Sequence, residues 1–467
     1  MCHLNSYAFV SGRHKVGPYY MLLTLLSAFL FYLSFPNHFF IYGVWPCIWF
    51  FAVPLLLALH GQPLKKRLRL GVLFGLAAYG LMTQGVYAIS PMGFFIFVLG
   101  LSMQAWVFAC FFRSTGHLWG DIVYYPLLWS LSEWVRTILL GGFSFTISYA
   151  QAFCPLMLKF YGTFGCLGMS GIIFLVNTLI YVGATRSRHR FYYGLAAGLI
   201  FLSIPLAGRL KQDAHPSGMS VVHVAVIQAN ISPLKKIDSN FFDRNAGIHL
   251  RLTEQSFEHA RPDLVIWPET AFPDDLLASA QWRPIIFQEA RRRHTDLLVG
   301  IAPIINGKEY NSALLIGADG QIKGLYHKQA LVPFAEDTPL SAWGIDWGRG
   351  YHLSAGKAPS GMMISRKPLR FGVVICSESA HPAIVRQWRQ TGAQFLVEIS
   401  NDGWFRDIPS YMLHAQAAVM RAVENRMWVI RAANTGLSFT VDPDGNIHED
   451  VNLKLGREGF GIFDIMI

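Results

Sequence analysis

Three short segments in the second half of the chain carry residues that could do chemistry together. Residues 264–269 form an apolar run ended by Pro268, which has no N–H to continue a ladder, with Glu269 directly after it. Tyr326-His327-Lys328 ends a second run, and Glu336 follows after an apolar turn. Residues 371–375 deliver a thiol, Cys376, to the end of a third run, with Ser377 and Glu378 beside it. Taken singly, each has a plainer reading: a loop carboxylate, a solvated lysine, a buried thiol. Together they make one mechanism. The thiolate is the attacking form of cysteine, and a nearby lysine lowers the thiol pKa. A carboxylate at Glu269 can take the thiol proton and later activate a second nucleophile. The Lys328 ammonium and the backbone N–H after Cys376 can stabilise an oxyanion. That is acyl transfer through a thioester. A papain-like Cys–His site is the rival, with His327, His381 and His414 as candidate partners.

Each of these residues needs a strand to end beneath it. After residue 210, short β-rich runs alternate with amphipathic segments. Strands are expected at 221–228, 263–267, 296–301, 312–316, 324–327, 371–376, 395–399, 428–431, 438–441 and 459–464. Helices are expected near 240–260, 279–294, 381–391 and 411–425, the last led by Pro409-Ser410. Asp442-Pro443-Asp444-Gly445 is a turn between strands. Helices mixed with many strands argue for a layered α/β domain.

The first half has a different task. Hydrophobic residues make up 52% of the chain and charged residues only 15%, whereas soluble domains carry roughly 25% charged residues. Seven apolar runs, at 20–36, 41–60, 69–89, 93–112, 122–140, 166–184 and 191–208, approach the ~20 residues that cross a bilayer. A signal peptide is the other reading of the first run, but six more runs follow it and no small-residue cleavage site is evident. Basic clusters fall in alternate loops: Arg13, His14 and Lys15, then Lys65, Lys66, Arg67 and Arg69, then Arg113, then Arg186, Arg188 and Arg190. The turns between them are neutral or hold only Lys159. Basic loops stay inside, so the N-terminus is expected in the cytoplasm and everything after seven crossings outside it. The formal net charge of +10 is then a topology signal rather than a nucleic-acid footprint. The expected organisation is a membrane domain over 1–210 and a catalytic domain over 211–467. Glu133 and Arg136, three apart in one run, are expected to pair structurally or to sit near the lipid headgroups. None of the six cysteines forms a CxxC pair, so no zinc site or disulfide framework is indicated.

These residues resemble the nitrilase superfamily, whose triad is Glu-Lys-Cys. Trp267-Pro268-Glu269, His327-Lys328 and Ile375-Cys376-Ser377-Glu378 match its motifs in order. Asn401-Asp402-Gly403-Trp404-Phe405, His414, Arg421, Glu424-Asn425-Arg426 and Asn434-Thr435-Gly436 resemble its later segments. With helices in front, the chain is similar to the bacterial apolipoprotein N-acyltransferase family. Gln228-Ala229-Asn230, residues 331–336, Ser132-Glu133-Trp134-Val135-Arg136 and Tyr149-Ala150-Gln151 fit that family too.

The resemblance implies a multi-pass α-helical membrane bundle plus an αββα-sandwich, nitrilase-like extracytoplasmic domain, in a bacterial inner membrane. It implies that Cys376 takes an acyl chain from a membrane phospholipid and passes it to the α-amine of a diacylglyceryl-cysteine lipoprotein. Glu269 is the implied base and Lys328 the oxyanion stabiliser. Glu336, Glu378 and Ser377 support them, and Trp404 and Asn401 are the implied substrate contacts. No metal, other cofactor or nucleic acid is implied. Three departures stand out. The family places an aromatic after the cysteine, where this chain has Ser377, and a Trp about where Ile237 stands. It also adds a final membrane helix, whereas this sequence ends at Ile467. The first two keep open a membrane-tethered amidase using water, or an acyltransferase for another exported substrate. A transporter with a degenerate soluble domain is the reading from another class; few charges in the apolar runs and a complete triad argue against it.

Overall fold

The computed structural model describes residues 17–185, 190–210, 220–236, 238–337, 352–358 and 361–467. Arg13, His14, Lys15, Arg186, Arg188 and Ile237 lie outside the described residues.

The first half is helical. α1 spans Pro18–Ser34, α2 Ala52–Leu59, α3 Leu64–Met82, α4 Pro91–Phe111, α5 Leu118–Leu139, α6 Pro155–Leu158, α7 Tyr161–Thr185 and α8 Arg190–Leu210. They form one bundle: α1 packs on α2 and α3, α3 on α4, α4 on α5, α5 on α7, and α7 on α2 and α8. Aromatic side chains fill its centre, with Trp129 stacked on Phe174 at a centroid distance of 4.6 Å. Among the described residues, three helices, Pro91–Phe111, Tyr161–Thr185 and Arg190–Ala207, are long and apolar enough to cross a membrane. Leu195, Leu199, Leu202 and Leu206 face outward from α8, an apolar stripe that water would not favour.

Two expected runs are not single helices. Run 41–60 is a 3-10 turn, Trp45–Trp49, broken at Phe50 before the 8-residue α2. The cause is Asn177 of α7, whose side chain enters the break. It accepts from the Ala52 N–H at 2.8 Å and donates to the Ile48 carbonyl at 3.0 Å, supplying partners that a continuous helix would find internally. Run 69–89 splits into α3 and a second 3-10 turn, Gln84–Ala88. The expected Glu133–Arg136 pair is also corrected. Both side chains are buried, but Glu133 Oε1 accepts from Trp129 Nε1 and the Ile147 N–H. Arg136 donates to Tyr79, Gln104 and the Phe145 carbonyl.

Among its described residues the second half carries fourteen strands: β1 Val221–Gln228, β2 Leu264–Ile266, β3 Asp296–Ile301, β4 Ile304–Ile305, β5 Lys308–Glu309, β6 Ser312–Ile316, β7 Ile322–His327, β8 Met362–Met363, β9 Arg370–Ile375, β10 Phe395–Ser400, β11 Trp428–Ala433, β12 Phe439–Val441, β13 Ile447–His448 and β14 Gly459–Met466. Its helices are α9 Pro233–Lys236, α10 Phe242–His259, α11 Trp282–Arg293, α12 Pro382–Gln390 and α13 Ile408–Asn425. Two six-stranded sheets have the orders β14-β1-β2-β3-β6-β7 and β13-β12-β11-β10-β9-β8. Each holds a parallel trio, β1-β2-β3 or β9-β10-β11, with antiparallel neighbours.

Strand alternation builds the layers. Val222, Val224 and Val226 of β1 face the second sheet, in one core with Val373 and Val397. Ala225 and Ile227 face the other way, in a core with Ala246 and Leu252 of α10 and Ile286 and Ala290 of α11. On the far side α12 packs on β9 and α13 on β11. The order helix, sheet, sheet, helix is the expected αββα sandwich. Helix α13 also packs on α7, so the outer helical layer is the seam with the bundle.

Candidate active site

The three candidate residues come from three strand ends. β2 stops at Ile266, and Trp267, Pro268 and Glu269 continue across the end of β3, where the Trp267 N–H donates to the Leu298 carbonyl at 2.8 Å. Gly300 makes that crossing possible: a Cβ there would lie 2.2 Å from the Pro268 carbonyl oxygen and 2.8 Å from the Glu269 Cα. β7 ends at His327, so Lys328 is the first residue beyond it, its N–H held by the Asn311 carbonyl at 2.8 Å and its own carbonyl by the Gly356 N–H at 2.8 Å. β9 ends at Ile375, one residue short of the expected strand, and Cys376 turns the chain with φ 54°. A non-glycine residue in the left-handed region stores strain of order 1–3 kcal/mol and turns its side chain off the strand axis.

The polar groups converge. Lys328 Nζ lies 2.8 Å from Glu336 Oε1 and 3.8 Å from Glu269 Oε1, and all three side chains are largely buried. Asn311 Nδ2 donates to Glu269 Oε1 at 2.7 Å and reaches Glu336 Oε1 at 3.2 Å. The other Glu336 oxygen accepts from the Val332 N–H at 2.8 Å. Burial works against the Lys328 charge, but Glu336, the Cys376 sulfur and Glu269 outweigh it and hold its pKa above the ordinary lysine value. Burial and then the Glu269 carboxylate push the Cys376 thiol well up, against the pull of Lys328. A thiol pushed up in this way calls for a base beside it. The arrangement offers one carboxylate to accept a proton, one ammonium to meet a developing oxyanion, and one sulfur.

Glu378 fastens two of these pieces together. Its Oε1 accepts from the Gln329 and Ala330 N–H groups at 2.6 and 3.2 Å, and its Oε2 from the Ile375 N–H at 2.8 Å. Tyr326 Oη lies 2.9 Å from both oxygens. One buried carboxylate thus ties the chain after Lys328 to the chain before Cys376, and burial pushes its pKa up to about 7.

The other expected residues are placed as follows. Ser377 follows the thiol, and its hydroxyl is buried with no hydrogen-bond partner among the described residues. Asn401 is 4% exposed, and its Oδ1 is taken by Asn434 Nδ2 at 2.9 Å. Trp404 closes a half-buried 3-10 turn, Asp402–Trp404. Each rival imidazole has a partner of its own: His327 contacts Ser312, His381 the Ser377 carbonyl beside the thiol, and His414 Asp402, with the Cys376 backbone and Glu269 also close enough to His414 to favour its charged form. Among the described residues, no group of three or more His, Cys, Asp or Glu side chains could hold a metal ion.

Sequence reasoning missed three features. Asn311 bridges Glu269 and Glu336, yet a single Asn ahead of a strand carries no signal. Lys236, at the end of α9, is 1% exposed and donates to the Glu269 carbonyl at 2.7 Å. Burial lowers its pKa to about 7, against the pull of Glu269. The third is a buried cluster beneath the site. Arg431 donates to Glu398 and to both Asp402 oxygens, and His414 Nδ1 lies 2.7 Å from Asp402 Oδ1. The His and Asp residues of the Asn401 and His414 segments were legible; their partner on β11 was not.

Comparisons with known proteins place the chain in a family. Residues 223–465 match the carbon-nitrogen hydrolase family, and residues 27–179 match the apolipoprotein N-acyltransferase N-terminal domain. The apolipoprotein N-acyltransferase of Geobacter metallireducens is 29% identical over 91% of this chain and 86% of its own length. That of Sinorhizobium medicae is 30% identical over 75% of this chain and 68% of its own length. That of Rickettsia prowazekii is 26% identical over 93% of this chain and 90% of its own length. The chain belongs to the apolipoprotein N-acyltransferase family, and it is an acyltransferase enzyme of the nitrilase type.

Proposed function

We propose that this enzyme moves an acyl chain from a membrane phospholipid, through a thioester on Cys376, to the α-amine of a diacylglyceryl-cysteine lipoprotein. The observation that carries the reading is the convergence of buried Glu269 and Lys328 with half-buried Cys376 in one electrostatic cluster. Glu269 takes the thiol proton as sulfur attacks the acyl ester carbonyl. The carbonyl electrons move onto oxygen, where Lys328 Nζ and the Ser377 N–H meet them. Collapse breaks the C–O bond, and the leaving lysophospholipid oxygen takes the proton from Glu269. The lipoprotein amine then attacks the thioester and gives its proton to Glu269. The C–S bond breaks, and the proton returns to sulfur. Glu336 holds the Lys328 ammonium in place, Glu378 holds the two chain ends together, and Ser377, Asn401 and Trp404 flank the substrate.

A lipid donor is supported by position. The Ala380 carbonyl, four residues after Cys376, accepts from the N–H of Ser144 in the loop after α5. The site thus adjoins a bundle with three helices fit to cross a membrane. On this reading the bundle is multi-pass in a bacterial inner membrane and residues 211–467 lie outside the cytoplasm. The competing reading, an amidase with water as second nucleophile, is favoured by Ser377 in place of an aromatic.

The test incubates purified protein with defined phospholipids and a diacylglyceryl-cysteine peptide, reading intact mass. An acyl adduct on Cys376 that persists until peptide arrives, then one added acyl chain on the peptide amine, is expected. Free fatty acid released without peptide, with no acylated peptide, would establish hydrolysis with water as the second nucleophile and overturn the transferase.

A further inference from the structure

The motif Ser132-Glu133-Trp134-Val135-Arg136 has no part in the chemistry above, yet its two ionisable side chains are among the most buried in the bundle, at 0% and 1% exposure. Charged groups in such surroundings are costly unless hydrogen-bonded, so their partners indicate what they are for. One partner of each lies in the same loop. Glu133 Oε1 accepts from the Ile147 N–H at 2.9 Å, and Arg136 Nη2 donates to the Phe145 carbonyl. Both bonds grip the loop that leaves α5. Arg136 Nη1 reaches Tyr79 of α3 at 3.0 Å and also Gln104 of α4, so the grip is anchored on three helices.

The gripped loop ends on the turn that begins with Cys376. The Ser144 N–H, beside Phe145, donates to the Ala380 carbonyl at 2.8 Å. Phe143 meets the His381 ring at 5.8 Å on one side and Phe97 of α4 at 5.3 Å on the other. Gly142, at φ 94°, brings the backbone within reach of the His381 ring, which lies 3.6 Å from a Cβ built there. The 3-10 turn Cys376–Ala380 is thus held at one end by β9 and at the other by a loop whose shape Glu133 and Arg136 set.

We infer that Glu133 and Arg136 are positioning residues for Cys376, coupling the helical bundle to the reacting sulfur through Phe143, Ser144 and Phe145. The inference rests on the proposed role of Cys376. A misplacement of about 1 Å at a reacting atom costs on the order of 100-fold in rate.

The experiment uses the full chain in phospholipid–detergent micelles. Acyl-Cys376 formation is followed by intact mass against phospholipid concentration, and iodoacetamide alkylation of Cys376 gives a readout independent of donor. Arg136→Met and Glu133→Leu are expected to slow acyl-Cys376 formation tenfold or more, leaving the half-saturating phospholipid concentration within twofold. Glu133→Gln keeps Oε1 as an acceptor and should stay within threefold of wild type. Phe143→Ala, outside the buried network, should show the same split if the helix variants fail to fold. The double variant Arg136→Met/Phe143→Ala should be no slower than the worse single, because both cut one path. Additive losses, a shift in half-saturation alone, or wild-type rates in well-folded variants would overturn the coupling. Cys376→Ala separates the two ideas: acyl transfer surviving in it would refute the thioester, and alkylation rates of the other variants would still judge the coupling.

Discussion

Lys328 Nζ lies 2.8 Å from Glu336 Oε1 and 3.8 Å from Glu269 Oε1. The lysine spends its close contact on Glu336, and Glu269 instead accepts from Asn311. On the proposed mechanism this separates a carboxylate that holds a cation, Glu336, from one that moves a proton, Glu269.

Glu269 raises the Cys376 pKa, so removing its charge has two opposite effects. In Glu269→Gln the thiol becomes more acidic, and alkylation at pH 8 should be faster than in wild type. Acyl-enzyme formation should fall by about 100-fold or more, since the base is gone. In Lys328→Met the pull on the thiolate is lost, and alkylation should slow. The pH–alkylation profile of each variant measures this; profiles that move the other way would contradict the assigned charges.

Glu378 receives donors on every side, so Glu378→Gln sets an amide NH2 against a backbone N–H whichever way it is turned. The expected cost is about 1–3 kcal/mol, read as a lower midpoint of thermal unfolding in detergent. The wild-type group also has a pH signature. Its pKa is raised to about 7 in the fold, so the folded state binds its proton more tightly than the unfolded chain. Its contribution favours folding at acid pH and is lost as pH rises toward and through about 7. Glu378→Gln should flatten the pH dependence of the midpoint there.

Gly300 admits the Glu269 backbone, and Gly300→Ala puts a methyl group 2.2 Å from the Pro268 oxygen. That oxygen belongs to rigid backbone at a strand end. We expect kcat to fall about tenfold or more with little change in KM, because Glu269 is displaced while lipid contacts stay. Steady-state kinetics on the lipidated peptide checks the split.

Lys236 carries a pKa lowered to about 7 by burial. A depressed lysine costs the fold most where it must be charged, below about 7, and the cost fades as pH rises toward the ordinary lysine value. Lys236→Met should therefore raise the thermal midpoint more at pH 6 than at pH 9. It also removes the donor to the Glu269 carbonyl, so activity should drop at both. A midpoint gain independent of pH would show that the lysine is not the titrating group.

The three candidate residues were legible because each follows a short apolar run that reads as a strand, and the three occur in a recognisable order. A layered α/β domain was legible from helices mixed with many strands, and the αββα order only from the family resemblance; in the fold β1 alternates between two apolar faces, each of them covered. The helical half was legible by length and composition but not by continuity. Run 41–60 is apolar throughout, and nothing within it predicts the break, because Asn177, far along the chain, supplies the partners that make a break affordable.

What the chain decided locally is therefore the kind of chemistry: a carboxylate, an amine and a thiol at strand ends, beside a bundle of apolar helices. Tertiary structure decided which group serves which. Whether Glu336 or Glu269 pairs with Lys328 depends on ångström differences between loops far apart in sequence. Glu133 and Arg136 looked like an i,i+3 pair and instead reach into the loop after α5, toward the turn that carries Cys376. Spacing along a helix tells which side chains are neighbours. Only the packed fold tells which backbone groups nearby still lack a partner, and buried polar side chains go where those are.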